Sequence, residues 1–524
     1  MAGLIDRRSF IGLVAGGILV ACSGGTEGGS GSRRATTTSL RVPPAPRLKA
    51  SPFALGVASG DPLPDRVVIW TRLAPDPLEG GGMPEDDFEV LWEVAEDSDF
   101  RRVVRRGLAR APLEHGHSVH VDVDGLEPGH RYFYRFRIGE HVSRVGRTTT
   151  APAPGTTPDR MRLAFASCQN WEDGHWAAWR HAADENLDLI VFLGDFIYET
   201  DPFPGRARLH HGPEPKDAGQ YRVRYGQYLS DQNLQAARAK FPWLVTWDDH
   251  EVENNYAGLQ DENGSPPEEF ARRRADAYEV WWEHMPIRSE PPRDGRLRIY
   301  RDITWGDLAR VLVLDGRQYR DDQPCGYDFD LGKPCGEENE SGRTMLGSGQ
   351  LRWLKEVFSE TNTLWTAVGQ QTIMAPMPIV GMLNLDQWDG YAAERLKVLE
   401  MFQGAADRTN TVVLTGDIHA SGVADLYLDP EGREGEPVAT EFVGTSISSL
   451  FPEGLAEAVG PMVTQYPWVH WADATRRGYV TCEVQPDRWV THFRHLDDVL
   501  DPDSGIRTAT SWQVDVTRPG AKRI

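Results

Sequence analysis

The chain has 524 residues, room for two to four domains, and its 40% hydrophobic and 10% aromatic content supports a large packed core. Against 56 Lys and Arg stand 78 Asp and Glu, a formal net charge of -22. That balance repels a phosphate backbone, so no nucleic-acid partner is expected, while an excess of carboxylates suits hard cations.

The first 22 residues read as a leader. Arg7-Arg8 precedes an apolar run from Phe10 to Ala21 that is too short to span a bilayer and ends on small residues. The paired arginines resemble a twin-arginine signal, which a receptor reads. Leu19-Val20-Ala21-Cys22 resembles a lipobox with Cys22 as the lipidated first residue; the alternative is ordinary cleavage nearby with Cys22 incidental. Either way an exported protein is expected: periplasmic, extracellular or lipid-anchored, meeting the membrane only through signal or lipid.

Residues 23–51 are rich in Gly, Ser, Thr and Pro and read as a tether. Short β-like runs follow over 52–149, among them Val67–Thr71, Phe88–Val94, Val119–Val123 and Tyr132–Ile138. They predict a small all-β sandwich of immunoglobulin or fibronectin type III kind, with Tyr132 or Tyr134 as tyrosine corner. A linker over 150–159 leads into a region, 160–515, where apolar strands alternate with amphipathic segments. Strands are predicted over Met161–Ala166, Leu187–Leu193, Trp243–Trp247, Ala309–Leu314, Leu364–Val368 and Thr411–Leu414. Helices are predicted over Trp176–Glu185, Glu268–Glu283, Gly349–Ser359 and Ala392–Ala405, which makes this region α/β. Cys325 and Cys335 bracket a loop suited to a local disulfide. Cys482 reads as a small buried residue, and Cys168 is the odd thiol.

Chemistry-bearing residues sit just beyond four apolar strands: Cys168, then Asp195 with Tyr198, then Asp248-Asp249-His250, then Asp417 with His419. Singly, each has a bland reading as a helix cap, a core histidine or a small buried thiol. Ligands bind outside the carboxyl ends of strands in α/β sheets, and four such ends together point to a metal site. A thiolate, a phenolate and carboxylates form an anionic set that Fe(III) would stabilise. The surplus carboxylates suit a second, harder ion, Ca(II) or Mg(II).

Phe165-Ala166-Ser167-Cys168, Gly194-Asp195-x-x-Tyr198-Glu199, Trp247-Asp248-Asp249-His250-Glu251 and Gly416-Asp417-x-His419 resemble the motifs of PhoD-like alkaline phosphatases, in the calcineurin-like metallophosphoesterase superfamily. The resemblance implies a catalytic β-sandwich flanked by helices, with iron and calcium as cofactors and Mg(II) or Mn(II) as alternatives for the second ion. It implies that Asp195 bridges the ions, that Cys168 and Tyr198 bind iron, and that Asp248, Asp249, Asp417 and His419 complete the metal set. His250 would contact phosphate or protonate the leaving oxygen. The superfamily's middle histidine has no counterpart, and Gln370 and Gln371 are the candidates for its place.

The expected activity is hydrolysis of phosphate mono- or diesters by a metal-bound hydroxide, with His250 as general acid, in a monomer. A phospholipase D-like or teichoic-acid-directed phosphodiesterase is a rival within enzymes. A non-catalytic, metal-stabilised surface protein is a rival of another class. Arg317 and Arg238 are candidates to grip phosphate, with a surface salt bridge as the expected role of each.

Overall fold

The computed structural model describes residues 40–326, 331–429, 435–452 and 454–524. Arg7-Arg8, Cys22 and most of the expected tether lie outside the described residues. Among those residues, two large sheets carry the core, one of ten strands and one of seven.

At the centre of the larger sheet Met161–Ala166, Leu189–Phe192 and Pro242–Val245 run parallel. The latter two are buried at every position, as strands covered on both faces must be. Alternate residues explain both covers. Leu163, Phe165, Leu189, Val191 and Leu244 point into a core shared with Val311, Val313, Ala367 and Val412 of the seven-stranded sheet. Ala164, Ala166, Ile190, Phe192 and Trp243 pack instead against residues of the helices Ala177–Asp184, Gln232–Lys240 and Pro267–His284.

The smaller sheet repeats the scheme. Ala309–Val313, Trp365–Gln370 and Asn410–Thr415 are parallel neighbours. Their outer residues Leu312, Val368 and Val413 meet Leu354 and Phe358 of the helix Gly347–Glu360 and Leu399 and Phe402 of the helix Ala392–Gly404. The layers are therefore helix, sheet, sheet, helix, and the chain is a mixed α/β fold.

The expected strands and helices all appear within a few residues of their predicted bounds. The helices Ala218–Leu229, Gln232–Lys240 and Ala456–Val463 were not predicted. The C-terminal strand Arg518–Arg523 forms an edge of the ten-stranded sheet, beyond the expected limit at residue 515.

The segment 52–149 differs from a self-contained sandwich. Val67–Arg72 and Ser118–Val123 face a separate five-stranded sheet across a core of Ile69, Val119, Val90, Val94, Tyr134 and Phe136. Val57–Gly60, however, also pairs in parallel with Pro242–Val245, so one layer of this segment is continuous with the central sheet. Tyr132, rather than Tyr134, makes the corner: its hydroxyl accepts from the Glu127 amide at 2.9 Å. Cys325 and Cys335 are disulfide-bonded, and Cys168 and Cys482 are buried free thiols.

Candidate active site

The parallel strands of both sheets end on the same edge of the molecule, and the loops that leave them meet there. Close approach needs unusual backbone. Cys168, Asp195, Asp417 and His419 all have φ between 57° and 62°, the left-handed region that non-glycine residues seldom adopt. Gly194 has φ of 110°, and a Cβ there would stand 2.4 Å from Asp248 Cβ. Only glycine lets the loop after Leu189–Phe192 lie this close to Asp248. Glu251 fastens the two loops together, accepting from the amides of Asp195, Phe196 and Asp248 at 3.0, 2.7 and 2.8 Å.

Three groups of donors share Asp195, and the third of them is Asp195 with Asp249 and His250. Cys168, Asp195 and His419 bring ligand atoms within 4.8 Å of one another, and so do Asp195, Asp248, Asp249 and Asp417. Tyr198 joins the first group: its hydroxyl donates to Asp195 Oδ2 at 2.8 Å and lies 3.0 Å from His419 Nε2. Ser449 Oγ lies 2.8 Å from the same hydroxyl. Asp195 Oδ1, Asp248 Oδ2 and Asp249 Oδ1 are buried without a hydrogen-bond partner. Orphaned carboxylate oxygens at this depth are costly unless a cation meets them, so this donor set fits bound metal.

The electrostatics agree. Burial, and after it the charges of Asp249, Glu251 and Asp417, push Asp195 well above the usual carboxylate range, against the pull of His250. Burial likewise raises Asp417 to about 7 and lifts the Cys168 thiol and Tyr198 phenol. A site that holds so much potential negative charge in a desolvated pocket favours a multivalent cation.

His250 stands beside these groups. Its Nδ1 is 2.7 Å from Glu199 Oε2, and Glu199 Oε1 accepts from the Asn254 amide at 2.8 Å. Burial opposes charging of the imidazole, yet Glu199, Asp249 and Asp195 together hold its pKa well above the ordinary value.

The PhoD-like phosphatase family matches residues 163–493, and the N-terminal domain of PhoD-like phosphatases matches residues 37–152. The chain belongs to the PhoD-like phosphatase family. Alkaline phosphatase D of Bacillus subtilis (strain 168) is 43% identical over 540 residues, which span 99% of this chain and 89% of that protein. A solved structure described as PhoD superposes with a TM-score of 0.87 at 43% identity, covering 92% of this chain and 93% of the other. This PhoD-like phosphatase is thus a phosphoric ester hydrolase.

Within this family member the strand-end residues named from sequence all gather in one cluster, while the expectations for Gln370 and Gln371, and for Arg317 and Arg238, change. Asp417 falls in the carboxylate group and His419 in the thiol group, although only one residue separates them. Gln370 and Gln371 do not line the pocket as substitutes for a histidine. Gln371 Nε2 bonds Thr246 Oγ1 and the Trp247 and Leu314 carbonyls, and Gln370 bonds Thr415 and Trp388, so both knit strand ends together. Arg317 and Arg238 are not at the surface: both are fully buried. Arg238 donates to the His284 carbonyl and lies over Trp70, Phe196 and Trp243. Arg317 reaches the site itself: its Nε donates to Asp248 Oδ1, and its Nη1 donates to Asp386 Oδ1 at 2.8 Å.

Three residues near the site had no assigned role in the sequence, and Arg317 had a different one. Glu199 lies inside a quoted motif, directly after Tyr198, and the pairing with His250 gives it one. Arg317 was weighed as a phosphate grip, with a surface salt bridge as its expected role. Asp386 and Gln387, whose amide donates to Asp417 Oδ2, follow only the two-residue strand Leu383–Asn384 and carry no sequence signal.

Proposed function

We propose that this PhoD-like phosphatase hydrolyses phosphate esters at a two-cation centre. Fe(III) would be held by Cys168, Tyr198, Asp195 and His419, and Ca(II) by Asp195, Asp249 and Asp417. The sharing of Asp195 between a thiol–phenol–imidazole group and a carboxylate group carries this reading, because soft and hard donors sort onto different ions. Ions bound there supply an activated water and neutralise charge on the phosphoryl oxygens.

The protein's own part is positioning and proton transfer. Glu199 fixes the His250 ring through Nδ1, leaving Nε2, which has no hydrogen bond among the described residues, to protonate the leaving oxygen. Tyr198 stacks on the same ring and limits its rotation. The layered sheets support placing the catalytic region in the calcineurin-like metallophosphoesterase superfamily, and the Tyr132 corner supports an immunoglobulin-like N-terminal layer.

Turnover of a chromogenic phosphomonoester and phosphodiester, before and after chelation, tests the activity. Loss on chelation and recovery with iron plus calcium is expected; no turnover of any ester would return the protein to the surface-binding class. The proposed export route has its own test. Replacing Arg7-Arg8 with Lys-Lys should strand precursor in the cytoplasm, and Cys22→Ser should release a soluble form.

A further inference from the structure

Beyond Tyr198 and Glu199 the chain leaves the donor cluster as a loop that is tightly held. Arg224, buried in the helix Ala218–Leu229, donates to the Tyr198, Thr200 and Pro213 carbonyls. The buried Glu172 carboxylate accepts from the amides of Phe203 and His210 at 3.1 and 3.0 Å. The Arg208 guanidinium lies 3.7 Å over the Trp171 ring. With its backbone fixed in this way the loop keeps Phe203 from folding inward, and the ring is 63% exposed.

A single exposed apolar residue needs no explanation, but Phe203 has company. Arg206 lies 5.4 Å over the Phe203 ring and donates to Asp173 Oδ1 at 2.7 Å. Asp173 Oδ2 accepts from the Leu450 amide at 2.9 Å. Leu450 is 40% exposed, and its carbonyl oxygen lies 3.1 Å from His419 Nδ1. Phe203 and Leu450 therefore flank one ion pair, and this patch borders the donor cluster.

An ester whose phosphate occupies the cluster must lay its organic group on the surface beside it. On a chain with a net charge of -22, most of the charged surface is acidic. The Arg206–Asp173 pair is instead neutral and sits between two apolar side chains. An aryl group placed on Phe203 and Leu450 would withdraw apolar surface from water, with a guanidinium close enough to meet its ring. We infer that Phe203 and Leu450, with the Arg206–Asp173 pair between them, form a subsite for an apolar or aryl group of the ester. Phe203 is then a specificity-determining residue. The inference rests on the phosphate-ester reading above and adds a substrate class to it, leaving the ions and their ligands as they stand.

Steady-state kinetics of naphthyl phosphate and glycerol phosphate on the metal-loaded protein tests it. Each ester is compared with itself between parent and variant, so differences in leaving-group reactivity cancel. Phe203→Ser should raise KM for naphthyl phosphate roughly 10-fold, as loss of an apolar contact does. Its kcat, and both constants for glycerol phosphate, should stay within about twofold of the parent. Inhibition by naphthylmethylphosphonate should weaken by the same factor while methylphosphonate binds as before, a readout that needs no turnover of the probe. Phe203→Tyr, which keeps the ring, should behave as the parent. An equal rise in KM for both esters, or none for naphthyl phosphate, would overturn the inference. A parent protein that hydrolyses neither ester would overturn the phosphate-ester reading and the inference with it, an outcome distinct from any change confined to the Phe203 variants.

Discussion

The His250 imidazole lies against the Tyr198 ring, centroids 4.0 Å apart with 30° between the planes. One face of the imidazole is thereby covered, and Glu199 holds Nδ1, so the ring has a single free nitrogen. This arrangement suits an acid with one fixed direction of delivery.

His250→Ala should lower kcat by roughly 10²–10⁴-fold while leaving metal content intact. The loss should shrink for esters with good leaving groups, which need little protonation. Glu199→Gln should cost less, about 10–100-fold, by freeing the ring. Steady-state kinetics across a leaving-group series checks both. An equal loss on every ester would instead make His250 a phosphate contact.

Tyr198 bears on the iron. Phenolate and thiolate bound to Fe(III) give visible charge-transfer absorption, so the loaded protein should be coloured. Tyr198→Phe should shift or remove the band without disturbing the fold. A colourless, iron-free protein with full activity would take iron out of the proposal.

Gly194 offers a stability test. An added methyl would meet Asp248 Cβ at 2.4 Å and its amide nitrogen at 2.6 Å, in a backbone conformation that alanine disfavours. Gly194→Ala should destabilise the protein by at least about 2 kcal/mol and displace the Asp195 loop. Denaturant unfolding together with metal content would show both effects.

His284 sets an acid limit. It is fully buried, its Nδ1 lies 2.6 Å from the Val280 carbonyl, and its Nε2 lies 2.9 Å from Arg72 Nη1. Burial, then the positive charges of Arg72, Arg222 and Arg238, hold its pKa well below the ordinary histidine value. The unfolded chain takes up this proton near pH 6.5, while the folded chain resists it to lower pH. Between those values the unfolded state binds more protons, so stability falls as the solution is acidified, by up to about 1.4 kcal/mol per pH unit from this group. His284→Gln, which can still accept from Arg72, should flatten the slope of Tm against pH below 6.5.

How much of this was legible in the sequence depends on how local each signal is. The parallel strands were readable because each is a short apolar run, and the residues after them stand out as polar. Two of the three missed helices have starts that are written plainly. Asp217 accepts from the Gln220 amide, and Asp231 accepts from the Asn233 and Leu234 amides, as N-caps do. Their faces are not cleanly apolar: Gln227, Gln235, Arg224 and Arg238 are buried in them, so periodicity gave no helix. The pairing of Val57–Gly60 with Pro242–Val245 joins positions nearly two hundred residues apart, which no window of sequence reports. The Arg317–Asp386 pair was hidden for the same reason: neither residue neighbours a ligand in the chain.

That distant pairing also decides what the front of the chain is for. Ser59 lies opposite Pro242 and Gly60 opposite Trp243, on the strand whose end carries Asp248 and Asp249. A shortened protein starting near residue 160 would leave Pro242–Val245 with its amides and carbonyls unmet along one side. Such a bare margin invites stacking with another molecule. The N-terminal layer therefore acts as a seal on the catalytic sheet, and its removal should show first as loss of solubility, before any loss of chemistry.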